Sequence, residues 1–206
     1  MPWDNWLARV LAASQVDVGE AWLNAYLTSP PWRFALDPNL LGQSGWLGVL
    51  VSSVDSLHRC FPLTLAAPCM EFVGDGELSF DCEDWMVQAE SLALAMIDAG
   101  DSVEAGLMQF KDIATRIATP GRHPPPGSGD YRVFSNAYDL VDDAVGAGRS
   151  EPEAHAFSYW WHGDWPGHPA IALRCRGLPD AALCASFFDA GWAERGLIRT
   201  PPPGAP

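Results

Sequence analysis

Apolar side chains recur at the three- and four-residue spacing of an amphipathic helix over the first 28 residues. The first stripe consists of Trp3, Trp6, Leu7, Val10 and Leu11, and the second of Val18, Trp22, Leu23, Tyr26 and Leu27. Asp17 and Glu20 between the stripes resemble a helix-start signal, so the segment is either two helices or one helix with a break. Pro30 and Pro31 end it, because proline lacks a backbone N–H donor and restricts the preceding residue.

Short runs of strand-forming residues come next. Trp46–Val51 and Phe61–Leu65 are mainly apolar, and Trp32–Leu36 alternates and is a candidate third strand. Continuous apolarity indicates strands that are covered on both faces, as in a layered α/β domain. Towards the C-terminus, Ala156–Trp161 and Ala170–Cys175 predict paired strands around the turn-rich segment 163–169.

Two helices are predicted in the middle of the chain. The first is capped by Asp81 and ends at Gly100, a residue that readily adopts the backbone conformation of a helix end. Its apolar positions are Trp85, Met86, Ala89, Leu92, Ala93, Met96 and Ile97. The second begins beside Asp101, has Glu104 three residues further on, and extends to Ile117.

The remaining segments complete the predicted organisation. Residues 137–145 read as a short helix, and an apolar group from Leu183 to Phe188 marks a final one. The segment 119–129 (TPGRHPPPGSG) is either a mobile surface loop or a hinge between two halves of one domain. We therefore expect a single α/β domain over residues 1–199 and a flexible proline-rich tail at 200–206.

The charge of the chain limits its partners. Twelve basic against 26 acidic residues give a net charge of −14, and Lys111 is the one lysine. Nucleic acids and anionic membranes attract basic surfaces, so both are disfavoured. The acidic balance serves either solubility alone or a partner with a basic face. Cys60, Cys69, Cys82, Cys175 and Cys184 form no CxxC pair and read as core residues in a reducing compartment.

Candidate chemistry is sparse. No phosphate-binding loop is present, and Gly42–Gly45 lacks the spacing of a nucleophile elbow and reads as a tight turn. His162, Asp164 and His168 lie within seven residues, but their spacing matches no zinc pattern and suits a polar turn. His58 reads as a loop residue between two strands.

Acidic and aromatic clusters have structural explanations as well as functional ones. Asp81, Glu83 and Asp84 sit at a predicted helix start, where negative charge is favourable. Asp139, Asp142 and Asp143 share one helix face, which is either solvated, bound to a divalent ion or turned towards a basic partner. Trp160 and Trp161 should point to opposite faces of a strand, one into the core and the other towards a second layer, a partner or solvent.

Several blocks resemble the TagF (ImpM) family of type VI secretion-associated proteins. They are the segments 2–7 (PWDNWL), 22–34 (WLNAYLTSPPWRF), 54–57 (VDSL) and 59–64 (RCFPLT), followed by 158–161 (SYWW) and 175–179 (CRGLP). Relatives usually carry a segment with Gly-Lys-Leu-Pro and Gly-Asp-Phe ahead of the first helix, whereas this chain starts at that helix. The difference leaves a strand of the family fold in doubt.

The resemblance implies a three-layer α/β sandwich with a mixed β-sheet flanked by helices. It also implies a cytoplasmic, non-enzymatic repressor of type VI secretion that binds a cytosolic scaffold protein with a forkhead-associated domain. It carries over no catalytic, cofactor-binding or metal-binding residues, so we expect none. The alternatives are a small hydrolase that uses the turn at 162–168, or a structural accessory subunit of the secretion apparatus.

Overall fold

The structure is a computed structural model that describes residues 2–55, 57–69, 83–98, 103–114, 132–135, 156–195 and 197. Several sequence-based predictions lie outside these residues. They are the loop at 119–129, the helix at 137–145, the tail at 200–206, and the helix-end positions Asp81, Gly100, Asp101 and Ile117.

The N-terminal segment forms two helices. Helix α1 spans Pro2–Val18, a single 3₁₀ turn follows at Gly19–Ala21, and α2 spans Trp22–Thr28. The break falls at Gly19, whose φ of 65° belongs to the left-handed region that interrupts a right-handed helix. Helix α2 ends directly before Ser29 and the two prolines, as predicted.

One mixed sheet of six strands forms the centre of the described structure. The strands are β1 (Trp32–Leu36), β2 (Gly45–Val51), β3 (Leu63–Cys69), β4 (Arg132–Ser135), β5 (Phe157–His162) and β6 (Ile171–Arg176). Their spatial order is β3-β2-β1-β5-β6-β4. Strand β4 runs parallel to β6, and the other neighbouring pairs are antiparallel.

Four further helices complete the described elements. They are α3 (Glu83–Asp98), α4 (Val103–Ala114), α5 (Ala181–Cys184) and α6 (Ser186–Asp189). The final predicted helix is therefore two short ones, and Asp180 caps the first by accepting a hydrogen bond from the Leu183 N–H at 2.9 Å.

Each face of the sheet is covered by its own helical layer. Phe34, Leu50, Trp160 and Leu173 pack against α1, α2, α5 and α6 on what we call the α1 face. Ala35, Val49, Leu65 and Trp161 pack with α3 and α4 on the α3 face. The structure is thus the predicted three-layer α/β sandwich with a mixed sheet.

The tryptophan pair confirms the strand periodicity. Trp160 is 0% exposed on the α1 face, and Trp161 is 6% exposed on the α3 face. The second tryptophan therefore enters a second layer rather than solvent, because residues that are adjacent in a strand point to opposite faces. Three cysteines, Cys69, Cys175 and Cys184, are buried, in accord with their predicted core positions.

Candidate functional site

Three connections meet at one end of the sheet, which we call the loop end. They are Ser29–Pro31 before β1, the 52–62 segment between β2 and β3, and the turn at 163–170 between β5 and β6. The antiparallel register brings them together, since Trp32 pairs with Leu50, Val51 with Leu63, and His162 with Ile171. Several of the blocks that resemble the TagF family therefore lie side by side here.

Hydrogen bonds from α2 hold the 52–62 loop in place. The Tyr26 hydroxyl donates to the Ser53 carbonyl at 2.8 Å and accepts from the Ser53 N–H at 3.0 Å. Burial raises the pKa of Tyr26 far above its ordinary value, so the hydroxyl keeps its proton. The hydroxyls of Ser29 and Ser52 lie 2.8 Å apart. The base of the loop is thus fixed to the helical layer.

The outer part of the same loop is closed by Asp55. Its carboxylate accepts hydrogen bonds from the backbone N–H groups of Leu57 and Arg59, each at 2.9 Å. The Arg59 guanidinium returns to the other carboxylate oxygen at 2.6 Å. The Arg59 N–H is the main reason that the pKa of Asp55 is lowered. His58 lies between these partners as a loop residue, as predicted, with a φ of 60°.

Three apolar side chains of this loop face solvent. Leu57 is 70% exposed, Phe61 44% and Val54 40%. Large apolar residues at the surface are individually ordinary, but three on one short, internally bonded loop are typical of a contact surface. Sequence reasoning missed them, because they read as parts of a strand and its connection.

The histidines of the β5–β6 turn are buried rather than displayed. His162 ends β5 and is 3% exposed, His168 is 7% exposed, and their ring centroids lie 6.2 Å apart. The His162 ring stands edge-on to Trp32 at 4.5 Å. Asp164 accepts a hydrogen bond from the Ala170 N–H at 3.0 Å instead of joining them. Within the described ranges, no group of three or more His, Cys, Asp or Glu side chains is placed to hold a metal ion.

Burial lowers the pKa of both histidines, although the Gly163 carbonyl opposes this at His162 and Asp189 opposes it at His168. The folded protein therefore binds these protons at lower pH than the unfolded chain, whose histidines titrate near 6.5. We expect the free energy of unfolding to decrease as the pH falls below about 6.5 and onward through the lowered folded values. Denaturant titrations between pH 8 and pH 5 measure this change.

Histidine variants test whether His162 and His168 cause the pH dependence of the free energy of unfolding. His162→Gln should flatten the dependence of stability on pH, because it removes one of the two buried imidazoles. Equal profiles for the unmodified chain and the His162→Gln, His168→Gln double variant would contradict the assignment.

Two arginines organise the remaining polar groups. Arg195 bridges Asp17 of α1, at 2.6 Å, and Asp189 of α6, at 2.7 Å. Burial alone would raise the pKa of Asp189, but the hydrogen bonds from Arg195 outweigh it and hold the pKa below its ordinary value. On the α3 face, Arg33 contacts Glu83 at 2.5 Å and Glu90 at 2.7 Å. The Arg195 contacts link helices within the α1-face layer, and the Arg33 contacts join the sheet to α3.

The structure also locates several other residues that the sequence analysis considered for a functional role. Gly42 lies in the bend before β2, where its carbonyl accepts from the Asn39 N–H at 2.7 Å, so the tight-turn interpretation is confirmed. Lys111 is exposed in the last turn of α4. Glu83 and Asp84 occupy the first turn of α3, as expected for acidic residues at a helix start. Asp139, Asp142 and Asp143 lie outside the described residues.

Comparison with known proteins defines the class of the chain. The model of the TagF N-terminal domain, described as type VI secretion system-associated, matches residues 1–113. The crystal structure of PA0076 from Pseudomonas aeruginosa PAO1 superposes with a TM-score of 0.67 at 32% identity, and the match covers 100% of this chain and 89% of that one. No curated protein matches.

These matches identify a type VI secretion-associated protein. The chain belongs to the TagF family, which is not a known enzyme family. Within the described part of the chain, no helix is both long and apolar enough to cross a membrane.

Proposed function

We propose that this chain is a non-enzymatic, post-translational repressor of a type VI secretion system. It acts by binding the system's cytosolic scaffold protein through or near its forkhead-associated domain. Membership of the TagF family supports this proposal, and the charge of −14 with a single lysine carries it. A phosphothreonine-binding face needs basic side chains, so an acidic protein is electrostatically suited to cover it.

The mechanism is competition for a surface. A repressor that occupies the scaffold's phosphopeptide-binding face excludes the phosphorylated activator without chemistry of its own. In a complex of this kind, opposite charges on the two surfaces raise the association rate. A buried apolar contact supplies most of the binding energy and slows dissociation. The acidic residues Asp139, Asp142 and Asp143 are candidates for the electrostatic part.

Association kinetics test the proposal. We expect the association rate of the chain with the scaffold to fall steeply as salt increases, because exposed charges are screened within about 10 Å at ~0.1 M salt. Changing Asp139, Asp142 and Asp143 together to Asn should reduce both the rate and its salt dependence. Stopped-flow mixing at several salt concentrations measures both quantities.

Three outcomes would count against this function. A flat salt dependence, with wild-type affinity of the triple variant, would end the electrostatic mechanism. Failure of the purified proteins to bind under any condition would remove the scaffold as the partner. Recovery of sheath components, rather than scaffold, from native cytosol would favour a structural accessory subunit.

A further inference from the structure

We infer that the tip of the 52–62 loop is the apolar anchor of the complex, inserted into an apolar cleft with a basic rim on the scaffold. The loop tip is defined here as Val54, Asp55 and Leu57–Phe61. The inference rests on the proposed function and names the surface that performs it.

The loop tip has the shape of a ribbon that fits a cleft. Val54 and Cys60 form an antiparallel bridge, and the Phe61 N–H donates to the Ser53 carbonyl at 3.1 Å. Val54 and Phe61 therefore occupy neighbouring ladder positions and point to opposite sides of the ribbon. Leu57 lies at its turn, where it is 70% exposed. Cys60, which faces the same side as Val54, packs partly against the α1-face core, so the most exposed apolar group of the loop tip is Leu57 at the turn. A single apolar side chain that projects from a turn buries more of its surface in a cleft than on a flat face.

The loop tip is also ordered before binding. The carboxylate of Asp55 fixes two backbone N–H groups and the Arg59 side chain, and Tyr26 fixes Ser53 at the base. A loop that is disordered before binding loses conformational entropy on association, and this loss weakens the affinity. Because internal hydrogen bonds already order the loop tip, more of the free energy gained from the apolar contact remains as net binding free energy.

Charge determines the kind of partner. Asp55 and Arg59 neutralise each other within the loop tip, so the charge of −14 resides on the rest of the chain. A partner that accepts the loop tip approaches an acidic body, and the side chains around its cleft must be basic to be attracted. The same basic character is required of a phosphothreonine-binding face, which makes the scaffold the fitting partner.

The experiment measures association and dissociation rates of the full-length chain with the scaffold. Leu57→Ala should weaken binding about tenfold or more, because a buried leucine side chain contributes on the order of this factor. The loss should appear in the dissociation rate, with the salt dependence of association unchanged. Asp55→Ala keeps Leu57 but loosens the loop, and should weaken binding by a smaller factor.

Met108→Ala is the matched control. Met108 is 72% exposed on α4, on the opposite face of the sheet, and its change should alter affinity less than twofold. Wild-type dissociation of Leu57→Ala, or equal weakening by Met108→Ala, would overturn the inference while the scaffold remains the partner. Absence of binding by the unmodified chain would overturn the proposed function and the inference together. Thermal unfolding of each variant establishes that it is folded.

Discussion

Replacing Trp160 with alanine is expected to lower the free energy of unfolding by about 3–5 kcal/mol, the cost of deleting a large buried aromatic ring. Trp160 is 0% exposed, and its ring lies 5.2 Å from Phe34, 5.3 Å from Trp6 and 5.4 Å from Phe187. The cavity would open where β1, β5, α1 and α6 meet. Chemical denaturation monitored by circular dichroism measures the loss.

Trp165→Ala provides the comparison. Trp165 lies in the β5–β6 turn and donates to the Thr28 carbonyl at 3.0 Å near the surface. Its removal deletes the same side chain without opening a core cavity, so about 1 kcal/mol or less should be lost. A Trp160→Ala protein as stable as Trp165→Ala would show that the ring is not the centre of the α1-face core.

Gly48→Ala is expected to destabilise the sheet by about 1–3 kcal/mol or more, although it adds only a methyl group. A side-chain carbon at this position of β2 would overlap the ring of Phe34 and approach the backbone carbonyl oxygen of Leu65 to 2.7 Å. The phenyl ring can shift only at the expense of the packed core, and the carbonyl belongs to the β3 ladder. The shift in denaturation midpoint measures the effect.

Gly163→Ala serves as the reference for this substitution. No heavy atom lies within 4 Å of a side-chain carbon built there, so the change should leave stability unaltered or slightly raised. Equal stabilities of the two alanine variants would contradict the close approach of Phe34 to β2.

Strands and helices were predictable where one physical pattern dominated. The continuous apolar run of β2 identifies a strand covered on both faces, and the alternation over Trp32–Leu36 predicts β1. The 3-4 spacing from Trp85 to Ile97 lies within α3. The apolar pattern predicts β3 at Phe61–Leu65, whereas the strand spans Leu63–Cys69. Pro68 argues against a strand only in a sheet interior, and β3 is an edge strand, where a missing N–H is tolerated.

Strand β4 and the polar contacts depend on distant parts of the chain. The four residues Arg132–Ser135 are too few to show a periodic pattern of apolar side chains. They form a strand because they pair with β6, which is distant in sequence. Arg33 reaches Glu83 and Glu90, which are 50 and 57 residues away, and no spacing rule predicts such a pair.

The candidate site was hidden for a similar reason. Asp55 and Arg59 are close in sequence, but only the closed loop shows that the carboxylate is used internally and that Leu57 remains outside. Conversely, the histidines of the β5–β6 turn read as accessible polar residues, whereas Trp32 and the turn itself enclose them. Exposure is set by tertiary packing, which a linear pattern does not contain.

The helical layer on the α1 face contains contacts between early and late parts of the chain. These contacts can form only after the late part has been synthesised. The Trp6 indole donates to the Pro179 carbonyl, 173 residues later, and Arg195 closes on Asp17 across 178 residues. At about 5–20 residues per second, a ribosome takes roughly ten to forty seconds to connect them. During that interval the apolar stripe of α1 has no sheet partner from β5, because Trp160, which packs on Trp6, has not yet been synthesised. The segment 1–113 that matches the family therefore lacks β5, β6, α5 and α6, which contribute Trp160, Leu173, Cys184 and Phe187 to the α1-face core.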